Sequence, residues 1–219
     1  MFFTRLIGLC LTFLSAFVCA DVTGSARVLD GDTLVIGNQT VRLLDIDAPE
    51  NGQNCIYSGG QSYNCGVAAE NKLKSLLTHT VECEGATKDA YDRLLATCYS
   101  GGVNVNRAMV LSGHAVVFLK FSEQYLSEQS EAKAARRGLW EGSFKMPWEF
   151  RADRWTSAAS DAPSPECPVK GNINRKGERI YHAPWSRSYA KTEIDTSKAE
   201  RWFCSEAEAL AAGWRAPRR

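Results

Sequence analysis

The chain has 219 residues, with 26 Lys+Arg against 25 Asp+Glu. That near balance excludes a strongly basic protein that coats nucleic acid, and no second apolar run follows the N-terminal one to make a further membrane span. The charge is uneven: residues 21–150 carry a net −4 and residues 151–219 a net +4, so a polyanion bound by the first part has to be held locally, by a few bases or a metal.

Residues 1–20 read as a secretory signal peptide. Arg5 precedes the apolar run LIGLCLTFLSAFVCA, and Val18-Cys19-Ala20 is a small-residue cleavage site. The run is short for a membrane anchor, so export to the periplasm or medium is expected, with no stable membrane association after cleavage. SARVL, TLVIG and TVRLLDI then read as strands, with turns at Gly31-Asp32 and Gly37-Asn38. VAAENKLKSLL places Ala69, Leu73, Leu76 and Leu77 at helical spacing. TVECEG and LLATCY are two further strands, VNVNRAMVLSG is helical, AVVF is a short strand, and the polar run from Ser122 to Gly138 is a third helix. The order β-β-β-α-β-β-α-β-α suits an α+β fold, a small five-stranded barrel of the oligonucleotide-binding (OB) type with three helices.

The Ser/Ala/Pro-rich stretch TSAASDAPSPE reads as linker, so that a main domain over 21–150 is joined through 151–166 to a small C-terminal domain over 167–219. Six of the eight cysteines lie beyond the leader. In an exported chain an even number suggests disulfides, although the sequence leaves many connectivities open. Neighbour pairing is expected. Cys83 and Cys98 face each other across a hairpin, Cys55 and Cys65 close a Gly-rich loop, and Cys167 and Cys204 remain for the tail. His182 could join the last two on zinc, but a fourth ligand is missing. Trp185, Trp202 and Trp214 read as the core of the tail domain or as a stacking surface for bases. His79, His114 and His182 are scattered and read as surface or core residues.

The chemistry-bearing residues cluster early. Asp30 and Asp32 flank Gly31, and RLLDIDAPE places Arg42, Asp45, Asp47 and Glu50 close together. Alternate residues of a strand share a face, so Arg42 and Asp47 reach one site only if the chain bends, and Pro49 is at hand to end the strand. Carboxylates with backbone oxygens suit a hard cation such as calcium. On spacing alone, solvated acids at strand ends are the simpler reading.

VLDGDTL, VRLLDIDAPE and DAYDRLLATCY, in this order, with GLW at 138–140, resemble the staphylococcal nuclease (thermonuclease) family over about residues 24–141. The resemblance implies the five-stranded OB barrel and a calcium-dependent hydrolase of DNA and RNA that cuts the P–O5′ bond and acts as a monomer. It places the calcium ligands at Asp32, Asp47 and the carbonyl of Ala48, the phosphate-holding arginines at Arg42 and Arg93, and the water-orienting carboxylate at Glu50. Tyr91 falls beside the bound nucleotide and Asp30 near the metal. The tail resembles a small module attached to bacterial exported and nuclease-like proteins.

There are departures from the family pattern. Ala48 stands where Thr is usual, Asp92 replaces Gly before Arg93, Ala90 replaces Lys, and Phe121 stands in for a tyrosine. Asp92 is expected either to weaken phosphate binding or to point to solvent, and the loop at 55–65 to narrow access beside Glu50. The alternative to an enzyme is a weakly active nucleic-acid or cell-envelope binding module. The set Asp32, Arg42, Asp47, Glu50 and Arg93 favours the enzyme, because a pure binder has no need of it.

Overall fold

The computed structural model describes residues 22–217; the signal peptide read at 1–20 lies outside the described residues. The chain opens with β1 (Val22–Gly24), β2 (Ala26–Val28), β3 (Thr33–Ile36), β4 (Gln39–Leu43) and β5 (Ile46–Asp47). A short hairpin, β6 (Asn54–Ile56) and β7 (Ser62–Asn64), leads into α1 (Cys65–Leu76). Then follow β8 (Val81–Lys88), β9 (Leu94–Ser100), β10 (Val103–Asn104), α2 (Val105–Leu111), β11 (Val116–Val117) and α3 (Leu126–Ala134). The remainder forms α4 (Pro147–Ala159), β12 (Val169–Ile173), β13 (Arg179–His182), β14 (Arg201–Phe203) and α5 (Glu206–Ala211).

The main sheet runs β1-β8-β9-β4-β3-β2, with β10 added on β9. Only the β4–β9 pair in it is parallel. In β8 and β9 buried and more exposed residues alternate, so Val81 and Cys83 face Leu94, Ala96 and Cys98 in the core. Leu34, Val41 and Leu43 join them from β3 and β4, and Leu73, Val105 and Met109 from α1 and α2. The architecture is α+β, as expected. Its main sheet has seven strands rather than five. The SARVL run yields β2, which pairs with β3, while β1, which lies before that run and pairs with β8, is an additional strand. The AVVF segment yields β11, which pairs with β5 outside that sheet.

Cys55–Cys65, Cys83–Cys98 and Cys167–Cys204 are disulfide-bonded. Cys83 and Cys98 are direct cross-strand partners. The loop at 55–65 is the β6–β7 hairpin, with Tyr57 stacked on Tyr63, and it bridges to Ser143 through Ile56.

The larger correction is α4. It occupies 147–159, the first part of which had been assigned to the main domain and the rest to linker. The reason is local. Pro147 fits the first helical position, where no amide hydrogen is needed, and the Glu149 carboxylate accepts from the Met146 amide. After it, β12 pairs with β13 on one side and β14 on the other. Val169, Tyr181, Phe203, Ala209 and Trp214 form a separate small core. Among the described residues no helix is long and apolar enough to cross a membrane.

Candidate active site

Asp32 sits in the turn that enters β3. Gly31 before it is required by packing: a Cβ there would lie 2.6 Å from the Ala48 Cβ and 2.7 Å from that of Ala69 on α1. The β3–β4 register sets Thr33 opposite Arg42. Arg42 then donates from Nη1 to Asp32 Oδ1 at 2.7 Å and from Nη2 to Asp47 Oδ1 at 2.9 Å. The remaining Asp32 oxygen accepts the Ala48 amide at 2.9 Å. The bend that brings Arg42 and Asp47 together lies earlier than Pro49. It is made at Asp45, whose φ of +66° is left-handed, a conformation aspartate tolerates better than most residues. Beyond it, β5 pairs Asp47 with Val116. The Glu50 main chain packs closely on Gly66 of α1, where a Cβ would collide with the Glu50 carbonyl oxygen.

Arg93 closes the β8–β9 connection. Asp89 organises that turn: its Oδ1 accepts the amides of Tyr91 and Arg93, and its Oδ2 accepts from Arg93 Nε at 2.8 Å and pairs with Nη2 at 2.7 Å. The Arg93 guanidinium lies 4.9 Å from the Tyr91 ring centre. Asp92 takes the left-handed φ of +59°, which accounts for a place otherwise suited to glycine. Its side chain is 83% exposed and pairs with Lys88, so it points to solvent.

A cavity of about 740 Å³ gathers these groups. Asp30, Asp32, Arg42, Ala48, Glu50, Tyr91 and Arg93 all line it. Asp47 does not line it: it has no solvent exposure and is joined to the lining through Arg42 and Arg151. The 55–65 hairpin does not line this cavity and packs instead with Leu139, Trp140 and Phe144, so it does not narrow the access. None of the three histidines lines it either. Phe121, 68% exposed, stands at the rim beside Phe118.

Further lining residues come from beyond the main domain, and of these only Trp185 had been considered, as core or a stacking surface. Arg151 and Trp155, one helical turn apart on α4, share a face toward the cavity. Trp185 and Glu206 come from the C-terminal domain. Arg151 is the most heavily engaged. Its Nη2 donates to Asp47 Oδ2 at 2.8 Å, and its Nη1 donates to Asp47 Oδ1 at 3.1 Å and to Glu50 Oε1 at 2.8 Å. The pairing of Pro147 with Glu149 was the helix-start signal that could have placed Arg151 on a packed helix.

The electrostatics follow from burial. Burial pushes the Asp30 carboxyl up to about 6, helped by the charge of Asp32. Burial also opposes charge on Asp32, but Arg42, the Ala48 amide, Arg93 and Arg151 outweigh it and hold that carboxyl below its usual range. Burial raises Glu50 to about 8 against the pull of Arg151. Glu206 is raised by burial, opposed by Arg93 and by its hydrogen bond with Tyr181.

Among the described residues no group of three or more His, Cys, Asp and Glu side chains forms a ready metal cage. The ligand set implied by the family has only two acidic side chains and one main-chain oxygen. These are all hard oxygen donors, and their chemistry fits calcium. The buried carboxylates have already drawn in two guanidiniums.

The chain resembles several known proteins. The chain is 36% identical over 145 residues to a succinoglycan biosynthesis protein, ExoI, of Rhizobium meliloti (strain 1021), covering 63% of this chain and 76% of that protein. It is 35% identical over 148 residues to an uncharacterized endonuclease of Escherichia coli O157:H7, covering 61% and 88%. It is 33% identical over 152 residues to a micrococcal nuclease of Shigella flexneri, covering 60% and 82%. The ArfC family matches residues 150–216, from within α4 through the tail. Residues 40–142 match the staphylococcal nuclease homologue family, and with relatives of this similarity and coverage the chain belongs to it.

Proposed function

We propose that the protein is an exported, calcium-dependent nuclease that hydrolyses phosphodiester bonds of DNA and RNA on an OB barrel. The observation that supports this best is the convergence of Arg42, Glu50 and Arg93 on one cavity over the buried pair Asp32 and Asp47. The relatives named endonuclease and micrococcal nuclease point the same way, and the three disulfides suit an oxidising compartment, the periplasm or the medium.

Hydrolysis of a phosphodiester is slow because an anion repels its nucleophile and charge gathers on the phosphoryl oxygens in the transition state. Arg42 and Arg93 would grip those oxygens, each offering paired N–H donors that strengthen as charge develops. Glu50 would orient the attacking water. Arginine stays protonated and is a poor general acid, so water would protonate the leaving oxygen. Tyr91 would lie against the nucleotide next to the scissile phosphate. Asp32, Asp47 and the Ala48 carbonyl would hold calcium, which when bound neutralises charge on the phosphate. The protein would act as a monomer.

The test is nuclease activity of the oxidised mature protein on single-stranded DNA and on RNA, with calcium and with a chelator. Activity in calcium alone is expected. Equal activity in both would reject the metal assignment.

A further inference from the structure

We infer that Arg151 is a built-in cation of the carboxylate cluster and that it competes directly with a divalent ion for Asp47. The inference rests on reading Asp32 and Asp47 as the metal ligands. Asp47 has no exposure to solvent, and both its oxygens are taken by guanidiniums. Oδ1 is shared by Arg42 and Arg151, and Oδ2 is held by Arg151. Three of the roughly four acceptor sites of this carboxylate are thereby filled, so a divalent ion that takes Asp47 has to crowd against these guanidiniums or displace one.

The two arginines are not equally held. Arg42 projects from β4, inside the main sheet, and also clamps Asp32. Arg151 stands on α4, outside the stretch that matches the nuclease family, and among the described residues its ion pairs are with Asp47 and Glu50. Its helix is tied to the C-terminal domain. Arg154 donates to the Pro184 carbonyl at 3.1 Å, and Trp155 lies 6.3 Å from Trp185 between ring centres. The tail thus sets where α4, and with it Arg151, rests. A divalent ion on Asp47 would also meet the positive charge of Arg151 at contact range, in a pocket where screening by water is weak. Arg151 is consequently the group to leave. It lines the same cavity as Arg42 and Arg93, so a bound phosphate offers it a new anionic partner there. The C-terminal domain in this way makes metal binding weaker without nucleic acid and couples it to arrival of a phosphate.

The test is calcium binding to the full mature protein without nucleic acid, by titration calorimetry, with terbium luminescence as a second probe. Arg151→Gln is expected to bind calcium at least tenfold more tightly than the parent, and Asp47→Asn in that background to abolish binding. Arg151→Lys keeps the charge but loses the fork, and is expected to fall between. Arg154→Ala, which loosens α4 from the tail, is expected to tighten calcium binding by a smaller factor and covers the case in which Arg151→Gln fails to fold. Binding by Arg151→Gln that is no tighter than the parent's overturns the inference, as does unchanged affinity in both Arg151→Lys and Arg154→Ala. Calcium binding that survives Asp47→Asn in the parent instead overturns the reading of the metal site itself.

Discussion

One wall of the cavity carries Asp32, Arg42 and Glu50 on the chain from β3 to just beyond β5; another carries Arg151, Trp155, Trp185 and Glu206 on α4 and the C-terminal domain. The first wall is fixed by backbone. Gly31 lets the turn approach Ala48 and Ala69, the β3–β4 register aims Arg42, and the left-handed Asp45 swings Asp47 beneath it. The second wall is fixed by docking, through Arg154 on Pro184 and Trp155 beside Trp185. Charges fixed by backbone cannot move unless the sheet opens, whereas charges on a docked helix can shift while the barrel stays intact. Under the proposed function, this contrast would give the first wall the chemistry and the second wall control over it.

The sharpest break of this contrast is in stability. Arg42→Ala leaves Asp32 and Asp47 with a lost partner inside the sheet, and removing one member of a buried pair costs about 3–5 kcal/mol. Urea unfolding should show a loss of that size, and a smaller one for Arg151→Ala, because Asp47 then keeps Arg42. Equal losses would mean that the two walls are held alike.

A smaller effect belongs to the tail and is set by pH. Burial, with the charge of Lys170, pushes His182 down to about 4. The unfolded chain takes up this proton near pH 6.5, whereas the folded tail does not until about 4. The stability is therefore complete above pH 6.5 and is lost as pH falls from there toward 4. Thermal melts across that window should show a steep decline in the parent and a shallower one in His182→Gln. Identical slopes would remove His182 from the account. The smallest effect is expected at Asp92, which is exposed and left-handed. Asp92→Gly should leave the rate of hydrolysis within about twofold and change stability by no more than about 1 kcal/mol. A large gain in activity would show that this acid does weaken phosphate binding.

The first wall was legible in the sequence through its motifs. Spacing alone left these acids as solvated strand ends; it was the order of the motifs around Asp32, Arg42 and Asp47, through their resemblance to the nuclease family, that marked them as one site. The bend itself was legible only as a need; that Asp45 rather than Pro49 supplies it depends on one backbone torsion. The strand count was blurred by short β1, β2 and β10, which are fixed by pairing partners distant in sequence. Arg151 was missed because its partners lie about a hundred residues away, and because the Ser/Ala-rich end of α4 resembles linker in composition. Trp185 had been weighed as core or stacking surface; it lines the cavity, while Trp214 lies in the small core.

The most direct test of the central claim is the hydrolysis rate of Glu50→Ala and Arg93→Ala on single-stranded DNA in saturating calcium, with folding checked by thermal melting. The account predicts that both keep a melting temperature close to the parent's and lose at least about a hundredfold in rate. Folded variants that cut as fast as the parent would contradict it.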